Sequence, residues 1–79
     1  MTTQEKVKQI LAQQLNIEAE AIGELDDLEE DLFADSIDMV EIVQKVEEEF
    51  GVSLTDEGVQ DLHTVRQIAR YLDALQKNA

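Results

Sequence analysis

The stretch Asp35-Ser36-Ile37-Asp38 sets one hydroxyl between two carboxylates, just ahead of an apolar run. Such a hydroxyl could attack an electrophile, cap a helix, or serve as a point of attachment. Attack needs a base, and only carboxylates are near, which activate an alcohol poorly around neutral pH. The single histidine, His63, stands just before a helix start and reads as an edge residue, and there is no cysteine. An enzyme is therefore not expected. A serine in the first turn of a helix is exposed, sits on a rigid element and lies where backbone N–H groups favour a phosphate. The residues alone leave a cap and an attachment point both open.

The elements around Ser36 follow from periodicity. Val7, Ile10, Leu11 and Leu15 predict a first helix from about Thr3 to Leu15, capped by Thr2 or Thr3. Residues 16–35 make a long connection whose Ile17, Ile22, Leu25, Leu28, Leu32 and Phe33 are expected to pack over the core, with a short helical turn near Asp26 to Glu30. A second helix begins at Asp35 or Ser36 and ends near Phe50, with Gly51 as its stop. Ile37, Val40, Ile42, Val43, Val46 and Phe50, joined by Met39, form its apolar side. Asp38, Glu41, Glu47, Glu48 and Glu49 form the other side. Acids suit the first turn but oppose the helix dipole at the end, so Glu47 to Glu49 point to a use elsewhere. Val52 and Leu54 plug the core, and Thr55 caps a short third helix carrying Val59 and Leu62. Gly58 weakens that helix by about 1 kcal/mol relative to alanine. Thr64 and Gln67 form a capping box for a last helix with Val65, Ile68, Ala69, Leu72 and Leu75 inward and Tyr71 at the boundary.

The chain thus reads as one all-α domain over residues 1–79, a small four-helix bundle of three main helices, one short helix and a long structured loop. With 43% hydrophobic residues, acidity does not imply disorder. The net charge is −13, and Lys45 is the only cation between Lys8 and Arg66. Nucleic acid and anionic membranes are repelled by such a field, while basic protein surfaces are attracted. No apolar run approaches a membrane span, and the first residues lack a secretory signal core, so a cytoplasmic monomer is expected. A calcium loop starting at Asp27 fails, because Leu32 holds the glycine position and Asp38 the last one, and no metal is expected.

The segment DLFADSIDMVEIVQKVEEEFGVSL resembles the signature of acyl carrier proteins, with Asp-Ser-Ile-Asp, the Val-Glu pair and the Glu-Glu-Glu-Phe end in place; the likeness runs from Val7 to Tyr71. The resemblance implies that a carrier-protein synthase, a phosphopantetheinyl transferase, moves 4′-phosphopantetheine from coenzyme A onto Ser36. The arm's thiol would then carry acyl groups as thioesters, which fits a chain without cysteine. It implies docking by Asp35, Ile37, Asp38, Glu41, Gln44, Lys45, Glu47 and Glu48 on basic patches of fatty-acid or polyketide synthase enzymes and acyltransferases. Met39, Val43, Val59 and Leu62 would shelter the acyl chain between the second and third helices. The sequence departs from the family pattern at Phe33 (usually Gly), Ile37 (usually Leu), Gln44-Lys45 (commonly Met and a small residue) and Thr55 (often Pro). Ile37, Gln44 and Lys45 lie on or near the docking face and bear on partner choice. Two alternatives stand beside this reading: an aminoacyl or peptidyl carrier, and an acidic interaction module in which Ser36 is a cap or a phosphorylation site.

Overall fold

Helix starts in this chain are written by side-chain caps. In the computed structural model, which describes residues 2–77, Thr2 accepts from the Glu5 N–H (3.1 Å) and Glu5 accepts from the Thr2 N–H (3.3 Å). This capping box opens α1, Thr3–Leu15, which ends on a left-handed Asn16. Asp35 and Asp38 build the same reciprocal pair at the start of α2, Ser36–Phe50. That helix stops at Gly51, whose φ of 65° is the left-handed geometry glycine takes without strain. Thr55 accepts from the Gly58 N–H (3.0 Å) to open α3, Asp56–Gln60. Thr64 and Gln67 bond each other's backbone N–H groups ahead of α4, Val65–Lys77.

The four helices form a bundle in which α1 packs against both α2 and α4. Its core gathers Val7, Ile10 and Leu11 from α1, Ile42 and Val46 from α2, and Val65, Ile68 and Leu72 from α4. Ile22, Leu28 and Ala34 of the long connection complete it. Lys6 adds an outer tie between α1 and α2, its Nζ 5.6 Å from the centre of the Phe50 ring.

Residues 16–35 are held by the opposite end of the chain. The Leu28 N–H donates to the His63 carbonyl (2.9 Å), the Arg66 N–H to the Glu24 carbonyl (3.0 Å), and Asp27 makes an isolated bridge with Thr64. A 3-10 turn forms at Ala19–Ala21. Near the expected turn the Asp31 N–H closes a single helical turn onto the Asp27 carbonyl (2.9 Å) that no helix continues, and Asp27 Oδ1 caps it by taking the N–H groups of Glu29 and Glu30, both at 2.9 Å. These bonds hold the Asp27 carboxyl below the usual aspartate range, the Glu30 N–H contributing most.

Three loop residues expected in the core are not there. Ile17 and Leu25 are exposed, and Phe33 is 82% exposed with a positive φ of 61°. Two residues placed on the apolar side of α2, Ile37 and Val40, also face out, at 69% and 58% exposure. The bundle covers only the arc of α2 that carries Ile42 and Val46, flanked by the half-buried Met39, Val43 and Phe50. Gly58 has a role beyond weakening α3. A Cβ there would stand 2.9 Å from Tyr71 Cζ and closer to the hydroxyl, so a side chain at this position would force Tyr71 or α3 to shift.

Candidate functional site

Ser36 is the first residue of α2 and is exposed. The cap is Asp35: its Oδ1 accepts from the Asp38 N–H at 2.8 Å, so the reading of Ser36 itself as the cap is corrected. One residue of helix phase decides this, because a cap side chain must reach the N–H two or three positions ahead. The Ser36 hydroxyl is left free for other chemistry. Among the described residues, the backbone N–H groups of Ser36 and Ile37 also have no protein partner, while those of Asp38 and Met39 are taken by Asp35. Two free N–H groups at the positive end of a fifteen-residue helix suit a phosphate esterified to Ser36. The donor set therefore fits a phosphodiester at this hydroxyl.

Ser36 opens onto a shallow depression of about 420 Å³, shared with Ile37, Val40, Glu41 and Gln44. Helical phase explains the grouping. At about 100° per residue, Ile37, Glu41, Gln44 and Glu48 fall within an arc of roughly 60° on the outward face. All four are exposed. Asp38 and Lys45 border this arc on the α1 side, where Gln14 Nε2 donates to Asp38 Oδ1 (3.4 Å) and to Glu41 Oε2. Val40 and Glu47 border it on the α3 side, where they line a groove with Val59 and Gln60. Seven of the eight residues named for docking thus share one helix, in a central strip and two flanks, while Asp35 caps its start.

Besides Asp38, which Gln14 holds, two more of these side chains have structural work that sequence reasoning missed. Glu47 is half-buried, and its Oε2 accepts the Leu54 N–H at 2.8 Å, which fixes the connection from α2 to α3. Glu41 is tied to α1 through Gln14. Neither contact had a signal in spacing or composition, since each crosses between elements.

Met39, Val43, Val59 and Leu62 are brought together. They line one apolar cavity with Ile42, Val46, Leu54 and Ile68. Its volume is only about 10 Å³, near the space of a single water. Outside it lies the groove between α2 and α3, about 420 Å³, which shares Met39, Val43, Leu54 and Val59 with the cavity. Among the described residues no group of three His, Cys, Asp or Glu side chains is placed to hold a metal ion. No described helix is long and apolar enough to cross a membrane.

Known proteins match this arrangement over nearly its whole length. Residues 5–72 match the family described as the phosphopantetheine attachment site. An acyl carrier protein of Campylobacter jejuni subsp. doylei is 38% identical over 77 residues, covering 98% of this chain and all of that one. An acyl carrier protein of Zymomonas mobilis subsp. mobilis is 38% identical over 71 residues, 90% of this chain and 91% of that one. Among solved structures, an acyl carrier protein from Enterococcus faecalis superposes with a TM-score of 0.77 at 32% identity, covering 94% of this chain and 98% of that chain.

Proposed function

The chain belongs to the acyl carrier proteins, which carry acyl groups on 4′-phosphopantetheine and are not enzymes, and from that premise we propose that Ser36 is where the arm is attached. One observation carries the assignment: Ser36 is exposed at the first position of α2 while Asp35 performs the capping. The bound arm supplies a thiol that holds acyl groups as thioesters. The chain's own residues hold its phosphate at the Ser36 and Ile37 N–H groups, dock the loaded carrier, and shelter the cargo.

Docking is assigned to the outward strip of α2, Ile37, Glu41, Gln44 and Glu48, with Asp38, Lys45 and Glu47 at its borders and Asp35 at the head of the helix. A partner with an apolar centre and a basic rim complements this strip, and the −13 field speeds the encounter. Such partners are the phosphopantetheinyl transferase and the synthase and acyltransferase enzymes of fatty-acid or related biosynthesis, met by a monomeric carrier in the cytoplasm. Shelter is assigned to the cavity behind Met39, Val43, Val59 and Leu62.

The test is loading. Apo protein is incubated with coenzyme A, magnesium and a phosphopantetheinyl transferase, and its intact mass is measured. Wild type is expected to gain one phosphopantetheine and Ser36→Ala none. Loading of Ser36→Ala at the wild-type yield would move the attachment elsewhere.

A further inference from the structure

Phe33 contradicts the fold around it. Its φ of 61° lies in the left-handed region, which a bulky side chain rarely occupies and glycine occupies freely. Its ring is 82% exposed, so the core gives little back for that geometry. A strained residue without compensating contacts inside the chain points to a contact outside it.

Position says where that contact falls. Phe33 precedes Ser36 by three residues, so their Cα atoms are at most about 11 Å apart. A protein interface of ordinary size covers about 800 Å² on each partner, a disc of roughly 16 Å radius. Phe33 therefore lies within the reach of an enzyme seated on the Ser36 hydroxyl, and its ring is exposed to be met. Aromatic side chains in such footprints tend to be the anchors that decide affinity. The chemistry of the recess follows from the neighbours: Glu29, Glu30, Asp31 and Asp35 are exposed around the ring's stretch of chain.

We propose that Phe33 is a specificity-determining residue, its ring entering an apolar recess with a basic rim on the phosphopantetheinyl transferase that loads Ser36. The inference rests on Ser36 as the attachment point. Glycine at this position would relieve the backbone and remove the anchor, so stability and recognition should move in opposite directions.

Initial loading rates with coenzyme A and the transferase of the same host, over a range of carrier concentrations, test it in apo wild type, Phe33→Gly, Phe33→Asn and Phe33→Leu. Asparagine tolerates the left-handed geometry, and leucine keeps apolar bulk. KM for the carrier is expected to rise tenfold or more in Phe33→Gly and Phe33→Asn, with kcat within twofold. Phe33→Leu should fall between them and wild type. Thermal midpoints of the glycine and asparagine variants should equal or exceed wild type, which separates lost recognition from lost fold. KM within twofold of wild type in both overturns the proposal. Unchanged KM with faster hydrolysis of an acyl thioester on the loaded variant would place the ring over the protein's own arm, and also overturns it. Loading of Ser36→Ala would remove the premise; normal loading of wild type with an indifferent Phe33→Gly removes only the inference.

Discussion

Asp35 and Ser36 are adjacent, yet their replacement by alanine should have opposite consequences. Asp35→Ala removes the acceptor 2.8 Å from the Asp38 N–H and leaves that helix N–H to water. Loss of an aspartate cap costs about 0.5–2 kcal/mol. Removing a negative charge from the positive end of the helix adds about 0.3 kcal/mol at an exposed site, the low end of the usual range. One charge fewer on a chain of −13 relieves some self-repulsion and offsets part of this. The net loss is about 1–2 kcal/mol. For a domain of this size 1 kcal/mol moves the midpoint by about 4–8 °C, so Asp35→Ala should melt roughly 5–15 °C lower. Ser36 makes no capping bond, and alanine is the better helix former, so Ser36→Ala should stay within about 0.5 kcal/mol of wild type. Asp35→Asn keeps an acceptor and should lose less than Asp35→Ala. Melts followed by circular dichroism, paired with loading by coenzyme A and a transferase, give both readouts. A midpoint for Ser36→Ala as low as that of Asp35→Ala would refute the separation of capping from attachment.

Gly58→Ala should gain about 1 kcal/mol of helix propensity in α3 but lose about 1–3 kcal/mol to overpacking against Tyr71. A double variant with Tyr71→Phe should melt above the single one, since the hydroxyl is the nearest atom; equal midpoints would show that the contact is not limiting. Asp27 has a lowered pKa, held down first by the Glu30 N–H, then by Glu29 and the neighbouring His63 charge. A lowered carboxylate stabilises the fold above its ordinary value of 3.8 and loses that contribution as pH falls through the native value. Asp27→Asn keeps an oxygen for both N–H groups without the charge, so it should melt below wild type at pH 7, with the gap closing in acid; a gap independent of pH would discount the charge. Gln44→Met with Lys45→Ala should be processed faster by a generic fatty-acid synthase component, chiefly through association, because Gln44 lies on the outward strip and Lys45 at its border. Equal rates at low salt would show that these residues do not select partners, and the midpoint should barely move.

Much of the fold is written locally and could be read from the chain. The Thr2 cap, the Gly51 stop and the Thr64–Gln67 box each involve residues within a turn of one another, so no distant contact is needed to recognise them. The same holds for the exposed serine at the head of an amphipathic helix, and for the family signature around it. What the tertiary structure decided is where neighbours cut these patterns. Periodicity put Ile37 and Val40 on an apolar side, but the bundle covers only the arc around Ile42 and Val46, leaving both outside. It could not show that Glu47 holds the Leu54 N–H, that Gln14 holds Asp38 and Glu41, or that Leu28 is pinned to His63. Nor could it show that Phe33 sits at a left-handed φ, since that angle is imposed on the loop from both ends: Leu28 and Ala34 are buried, and the Ala34 N–H donates to the Leu28 carbonyl at 2.8 Å. Caps and periods follow from chain geometry over a few residues, whereas exposure, strain and side-chain partners depend on which surfaces meet after residues far apart in sequence are brought together.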